Sequence, residues 1–102
     1  MSETPPPPRS VIVVAVRDEQ RADQVATELR RRYDADYEVR VANSAGVAAA
    51  VLDEVCAAGG TVALLLADDA SPLESDVSVF VHARRVFPDV RRGLLVEWGA
   101  WA

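Results

Sequence analysis

Apolar residues along this chain keep two alternating rhythms. Residues 10–16 form an unbroken, largely β-branched run, Ser-Val-Ile-Val-Val-Ala-Val, apolar on both faces as a strand inside a parallel sheet must be. Arg17 and Asp18 end it. Ala22, Val25, Ala26, Leu29 and Tyr33 then recur at helical spacing, leaving Arg30, Arg31 and Arg32 toward solvent. Asp18 is placed to cap this helix, with Glu19 and Asp23 near its positive end. Residues 33–36 break the pattern. Residues 37–42, Tyr-Glu-Val-Arg-Val-Ala, alternate like a strand near a sheet edge with one face partly wet.

Asn43 or Ser44 can cap a second helix, on which Val47, Val51, Leu52 and Val55 make an apolar stripe. Gly59 and Gly60 stop it by supplying a left-handed C-cap. Residues 61–67 are the third strand and the most apolar stretch of the chain, and residues 68–72, Asp-Asp-Ala-Ser-Pro, are its loop. A third helix is predicted over about residues 75–87, burying Val79, Phe80, Ala83, Val86 and Phe87 and stopped by Pro88. Residues 92–96 read as a fourth strand, after which the chain runs through Glu97, Trp98 and Trp101 to Ala102.

Strand and helix in strict alternation predict an α/β fold, a flavodoxin-like open parallel sheet with helices on both faces. The expected strand order is 2-1-3-4. Right-handed crossovers then put the first helix on one face and the second and third on the other. In such sheets the working site lies beyond the carboxyl ends of the strands. That edge gathers Arg17, Asp18 and Glu19 after strand one, Asp68 and Asp69 after strand three, and Glu97 after strand four. The bland alternative is that capping and turn acids collect at these loops in any case.

Composition narrows the chemistry. The chain has 102 residues, one domain's worth, and a formal charge of −5, which argues against a nucleic-acid footprint. All 11 basic residues are arginine, so no mechanism that needs a lysine is open. One histidine and one cysteine cannot build a zinc site or a disulfide framework. The five glycines form neither a GxGxxG nor a GxxxxGK[ST] loop. Residues 1–9, with four consecutive prolines, read as a disordered, polyproline-rich leader rather than a secretory signal; an SH3-type ligand is the other reading. No apolar run approaches the ~20 residues of a membrane span. The expected location is therefore cytoplasmic, with no membrane or nucleic-acid partner.

The apolar run 62–67, followed by Asp68-Asp69-Ala70-Ser71-Pro72, resembles the third strand, acceptor aspartate and loop proline of response-regulator receiver domains. Residues 29–33, Leu-Arg-Arg-Arg-Tyr, and 87–92, Phe-Pro-Asp-Val-Arg-Arg, resemble the receiver-like segment at the N-terminus of actinobacterial flavoproteins of the thioredoxin-reductase kind. The resemblance covers residues 10–102. It implies a receiver with Asp68 in the phosphoacceptor place and an acidic pocket formed by Arg17, Asp18, Glu19 and Asp69. Val96 then stands at the switch position, and FAD and NADPH belong to a downstream flavoprotein domain, with no cofactor in this chain.

Departures from the family pattern are extensive. Aligned without gaps, the family's Mg²⁺-holding acidic pair falls on Val16 and Arg17; a shift of one gives Arg17 and Asp18, and only a shift of two gives Asp18 and Glu19. Val96 replaces the hydroxyl that ends strand four. The lysine is absent, and the fifth strand is expected to be missing from these 102 residues. Phosphoryl transfer rests on positioning and charge neutralisation, much of it supplied by a carboxylate-held Mg²⁺. The expectation is a degenerate receiver with regulatory or interaction duty and no chemistry of its own. The alternative is an active phosphoacceptor using Mg²⁺ held by Asp18 and Asp68. A third reading, an enzyme with Asp68 and Asp69 as an acid–base pair, lacks a nucleophile or histidine at the same edge.

Single residues carry further expectations. Asp68 can be an acceptor or a structural acid. Arg17 can lie across the old metal site in a bidentate pair with Asp68, or be solvated. Cys56 reads as a small buried or half-buried side chain, and His82 as a surface residue. Trp98 and Trp101 are expected to pack on a downstream domain or an oligomer partner. An edge formed by Leu94, Leu95 and Val96 favours self-association.

Overall fold

β1 (Ser10–Ala15) is the centre of the molecule, and its alternation divides the core into two. Val11, Val13 and Ala15 point to one side, Ile12, Val14 and the following Val16 to the other, and all six are buried. In the computed structural model, which describes residues 9–68 and 78–94, β1 is flanked by β2 (Tyr37–Ala42) and β3 (Val62–Ala67). β4 (Arg91–Leu94) lies outside β3, and the sheet is parallel throughout with the order β2-β1-β3-β4. Fold class and strand order match the pattern read from the chain.

The reversal of order at β1 sends the connections to opposite faces. α1 (Glu19–Tyr33) lays Ala22 and Ala26, both fully buried, on Ile12, Val14 and Val39. α2 (Ala45–Ala57) and α3 (Val79–Val86) share the other face, where Ala48, Leu52, Val55, Val79 and Ala83 pack with Val13 and Leu65. Between Val11 and Ile12 the register of β1 on β3 slips, leaving Ala63 as an extra residue on β3.

Local chemistry sets the helix ends. Asp18 caps α1 by accepting from the Gln20 N–H, and the Ser44 hydroxyl accepts from Val47 N–H. Gly59, at φ 77°, ends α2: its N–H reaches Cys56 O, and Gly60 N–H reaches Val55 O. This is a Schellman motif, and its positive φ calls for glycine.

Several expectations are corrected. α3 runs Val79–Val86, with Ser78 as its N-cap accepting from Val81 N–H; the predicted start at residue 75 lies outside the described residues. Val47 is 51% exposed, since the stripe that faces the sheet runs through Ala48, Leu52 and Val55. Tyr33 is also exposed; it ends α1 and stands edge-on to Tyr37 instead of entering the core. Residues 1–8 of the expected leader lie outside the described residues; Arg9 donates to the backbone carbonyl of Asp34. No helix among the described residues is long and apolar enough to cross a membrane.

Candidate functional site at the carboxyl ends of β1 and β3

The sheet changes direction between β1 and β3, where neighbouring connections leave for opposite faces and a crevice opens. Backbone pairing brings two residues to that point. Asp68 N–H donates to Ala15 O at 3.2 Å, which extends β3 by one residue and fixes Asp68 beside the end of β1. Val16 N–H donates to Ala42 O at 3.1 Å, so the chain stays in the sheet until Arg17 leaves it.

The Asp68 side chain is only 14% exposed. Its Oδ2 accepts from the backbone N–H of Arg17 at 3.3 Å, and the Arg17 Nε lies 3.9 Å from the same oxygen. Oδ1 is buried and has no hydrogen-bond partner. The pair is therefore single-pronged and centred on one oxygen; the bidentate guanidinium–carboxylate fork is not formed. The Arg17 side chain is two-thirds exposed, so its ion pair is well screened and contributes little energy.

The other acids expected here are engaged locally. Asp18 Oδ1 is the α1 cap, 3.0 Å from Gln20 N, and Glu19 Oε1 accepts from Asn43 Nδ2 at 3.4 Å, tying the start of α1 to the loop after β2. Of the predicted pocket, Arg17 and Asp68 are brought together, whereas Asp18 and Glu19 serve the helix start. Asp69, Val96, Glu97, Trp98 and Trp101 lie outside the described residues, as do Leu95 and the predicted first turn of the third helix.

The described residues do not fit a receiver-type Mg²⁺ site. Such a site needs the acids of the β1 loop to share a hard cation with the strand-three aspartate. Here the Arg17 guanidinium lies beside Asp68, and the two acids of the β1 loop, Asp18 and Glu19, are engaged with a helix cap and an asparagine. Among the described residues no group of three His, Cys, Asp or Glu side chains is placed to hold a metal. Among the described residues, Asp68 Oδ1 is the one buried side-chain oxygen or nitrogen without a hydrogen-bond partner.

Two contacts had no sequence signal. The donor to Asp68 is a main-chain N–H, which any residue at position 17 would supply. His82 is half-buried rather than on the surface, with Nε2 2.7 Å from Asp53 Oδ1, joining α3 to α2. Cys56 is exposed, not buried beside Val55. Compared with models of known protein families, with curated proteins and with solved structures, the chain matches none.

Proposed function

We propose that this chain is a pseudo-receiver: a receiver-like α/β module with regulatory or interaction duty, in which Asp68 is a structural acid. The observation that carries the reading is the single-oxygen pairing of Asp68 with Arg17 at the sheet's switch point. A phosphoacceptor needs its carboxylate open to an anionic donor and backed by a cation that also holds the incoming oxygens. Asp68 has a fixed arginine in place of a metal ligand. The finer reading, resting on resemblance alone, makes the module the N-terminal head of a cytoplasmic, FAD-dependent thioredoxin-disulfide-reductase-like protein. FAD and NADPH would then be bound by residues beyond this sequence, and the module's partner would be that flavoprotein domain.

Beryllofluoride, a phosphoryl mimic, separates this from the active-receiver alternative, which the unpartnered Oδ1 of Asp68 favours. Titrated with Mg²⁺ and beryllofluoride, the Arg17 and Asp68 amide resonances are expected to stay where they are. Saturable shifts at both, lost in Asp68→Asn, would establish the phosphoacceptor.

A further inference from the structure

The bulge in β3 shapes one face of the sheet. Val11 pairs with Val62 and Ile12 with Leu64, so Ala63 is an extra residue, and it lines the same groove as Leu64. The groove holds about 310 Å³ beside α1. Ile12, Ala63 and Leu64 form its floor, Leu29 and Tyr33 of α1 stand on one side, and Arg91 of β4 stands on the other. The Tyr37 ring also lines it and meets the Tyr33 ring edge-on, 6.0 Å between centroids. Arg91 lies in register with Leu64 and so faces the groove, whereas Arg92 lies in register with Leu65 and faces the α2 and α3 side. Among the described residues Arg91 is the one charged side chain lining the groove, and it forms no ion pair there.

We propose that this groove binds a small apolar monocarboxylate, with the acid paired to Arg91 and the apolar body laid over Ala63 and Leu64 against the tyrosine rings. Size, lining and charge agree. Small-molecule sites occupy about 300–1,000 Å³ and are mostly apolar and aromatic, with a few placed polar groups. A groove at the low end of that range takes one ring with a short chain. Leu29, Ala63, Leu64 and Tyr37 are all half-buried, so such a body would remove further apolar surface from water. One guanidinium balances one negative charge, and its planar fork matches the two oxygens of a carboxylate. A polyanion would call for further cations, which none of the other described lining residues supplies, and Arg91 repels an amine. The groove is separate from the switch point. Leu64 lies four residues before Asp68, about 13 Å nearer the amino end of the sheet, so the inference does not depend on what Asp68 does.

The test follows backbone amide resonances of the full chain during titration with phenylbutyrate and, separately, with phenylbutanol, which has the same ring and chain but no charge. Phenylbutyrate is expected to give saturable shifts at Leu29, Tyr33, Leu64 and Arg91, and the alcohol to bind at least about tenfold more weakly. Arg91→Gln should lower the affinity for phenylbutyrate about tenfold and leave that for the alcohol unchanged. Arg92→Gln removes the same charge from the opposite face and should leave both unchanged. No saturable shift, equal affinity for acid and alcohol, shifts confined to the α2 and α3 side, or an equal loss from Arg92→Gln would overturn the proposal. The comparison of acid with alcohol is made on the unaltered chain, so it decides the matter even if Arg91→Gln fails to fold.

Discussion

The backbone N–H of Arg17 donates to Asp68 Oδ2 at 3.3 Å while Oδ1 of the same carboxylate is buried without a partner. One oxygen is held by a long hydrogen bond and a screened ion pair, and the other has lost its water for nothing in return. As a structural acid Asp68 contributes little net stability: its one hydrogen bond is offset by the desolvation cost of the oxygen left without a partner. Asp68→Asn should therefore change the unfolding free energy by less than about 1 kcal/mol, measured by urea denaturation. A loss of several kcal/mol would mean that Asp68 anchors contacts beyond Arg17.

Ser78 determines where α3 begins, because its hydroxyl accepts from Val81 N–H and Val79 directly after it is fully buried. Ser78→Ala is expected to destabilise the domain by about 1 kcal/mol, and Ser78→Asp to restore most of it. Equal stability of Ser78→Ala and the parent chain would show that packing of Val79 and Ala83 alone fixes the helix start.

Much of this architecture was legible from periodicity, and its failures have separate local causes. β1 and β3 announce themselves because long β-branched or leucine runs have few other uses, and the strand order follows from alternating elements and right-handed crossovers. Side-chain size misled the reading of the helices. On α2 the sheet-facing stripe uses Ala48, because a small residue lets the helix approach closely, and the larger Val47 is left outside. On α3 the apolar pattern could not fix the first turn, which the Ser78 cap sets. At the site, Asp68 was legible as the acid ending β3, and its neighbour Arg17 followed from the topology. The bonding between them was not, since its donor is a main-chain group. The His82–Asp53 contact depends on how α2 and α3 pack, a relation that no short sequence window contains.

That contact makes its own prediction. His82 is about one-quarter exposed and Asp53 more than half, so their 2.7 Å pairing works against solvent competition. A double-mutant cycle with His82→Ala and Asp53→Ala should give a coupling of no more than about 1 kcal/mol, shrinking as salt is raised. Coupling that is larger and insensitive to salt would identify a neutral, desolvated hydrogen bond instead.

Position 17 tests the origin of the degenerate site. Arg17→Asp keeps the main-chain donor to Asp68 but replaces the guanidinium with a second acid at the switch point. This variant should bind Mg²⁺ measurably by isothermal calorimetry where the parent chain does not, since a hard divalent ion is held through one or two carboxylates. If it gains no affinity, the arginine is not what displaced the metal.

The account stands most directly on whether Asp68 accepts a phosphoryl group. Bringing an anionic donor to a carboxylate 4 Å away is opposed by about 4 kcal/mol at an effective dielectric near 20, and among the described residues no group of three His, Cys, Asp or Glu side chains is placed to hold the Mg²⁺ that would cancel it. Intact-mass spectrometry of the chain after incubation with acetyl phosphate and Mg²⁺ reads the outcome in one step. The predicted result is an unchanged mass. A stoichiometric gain of one phosphoryl group that disappears in Asp68→Asn would contradict it.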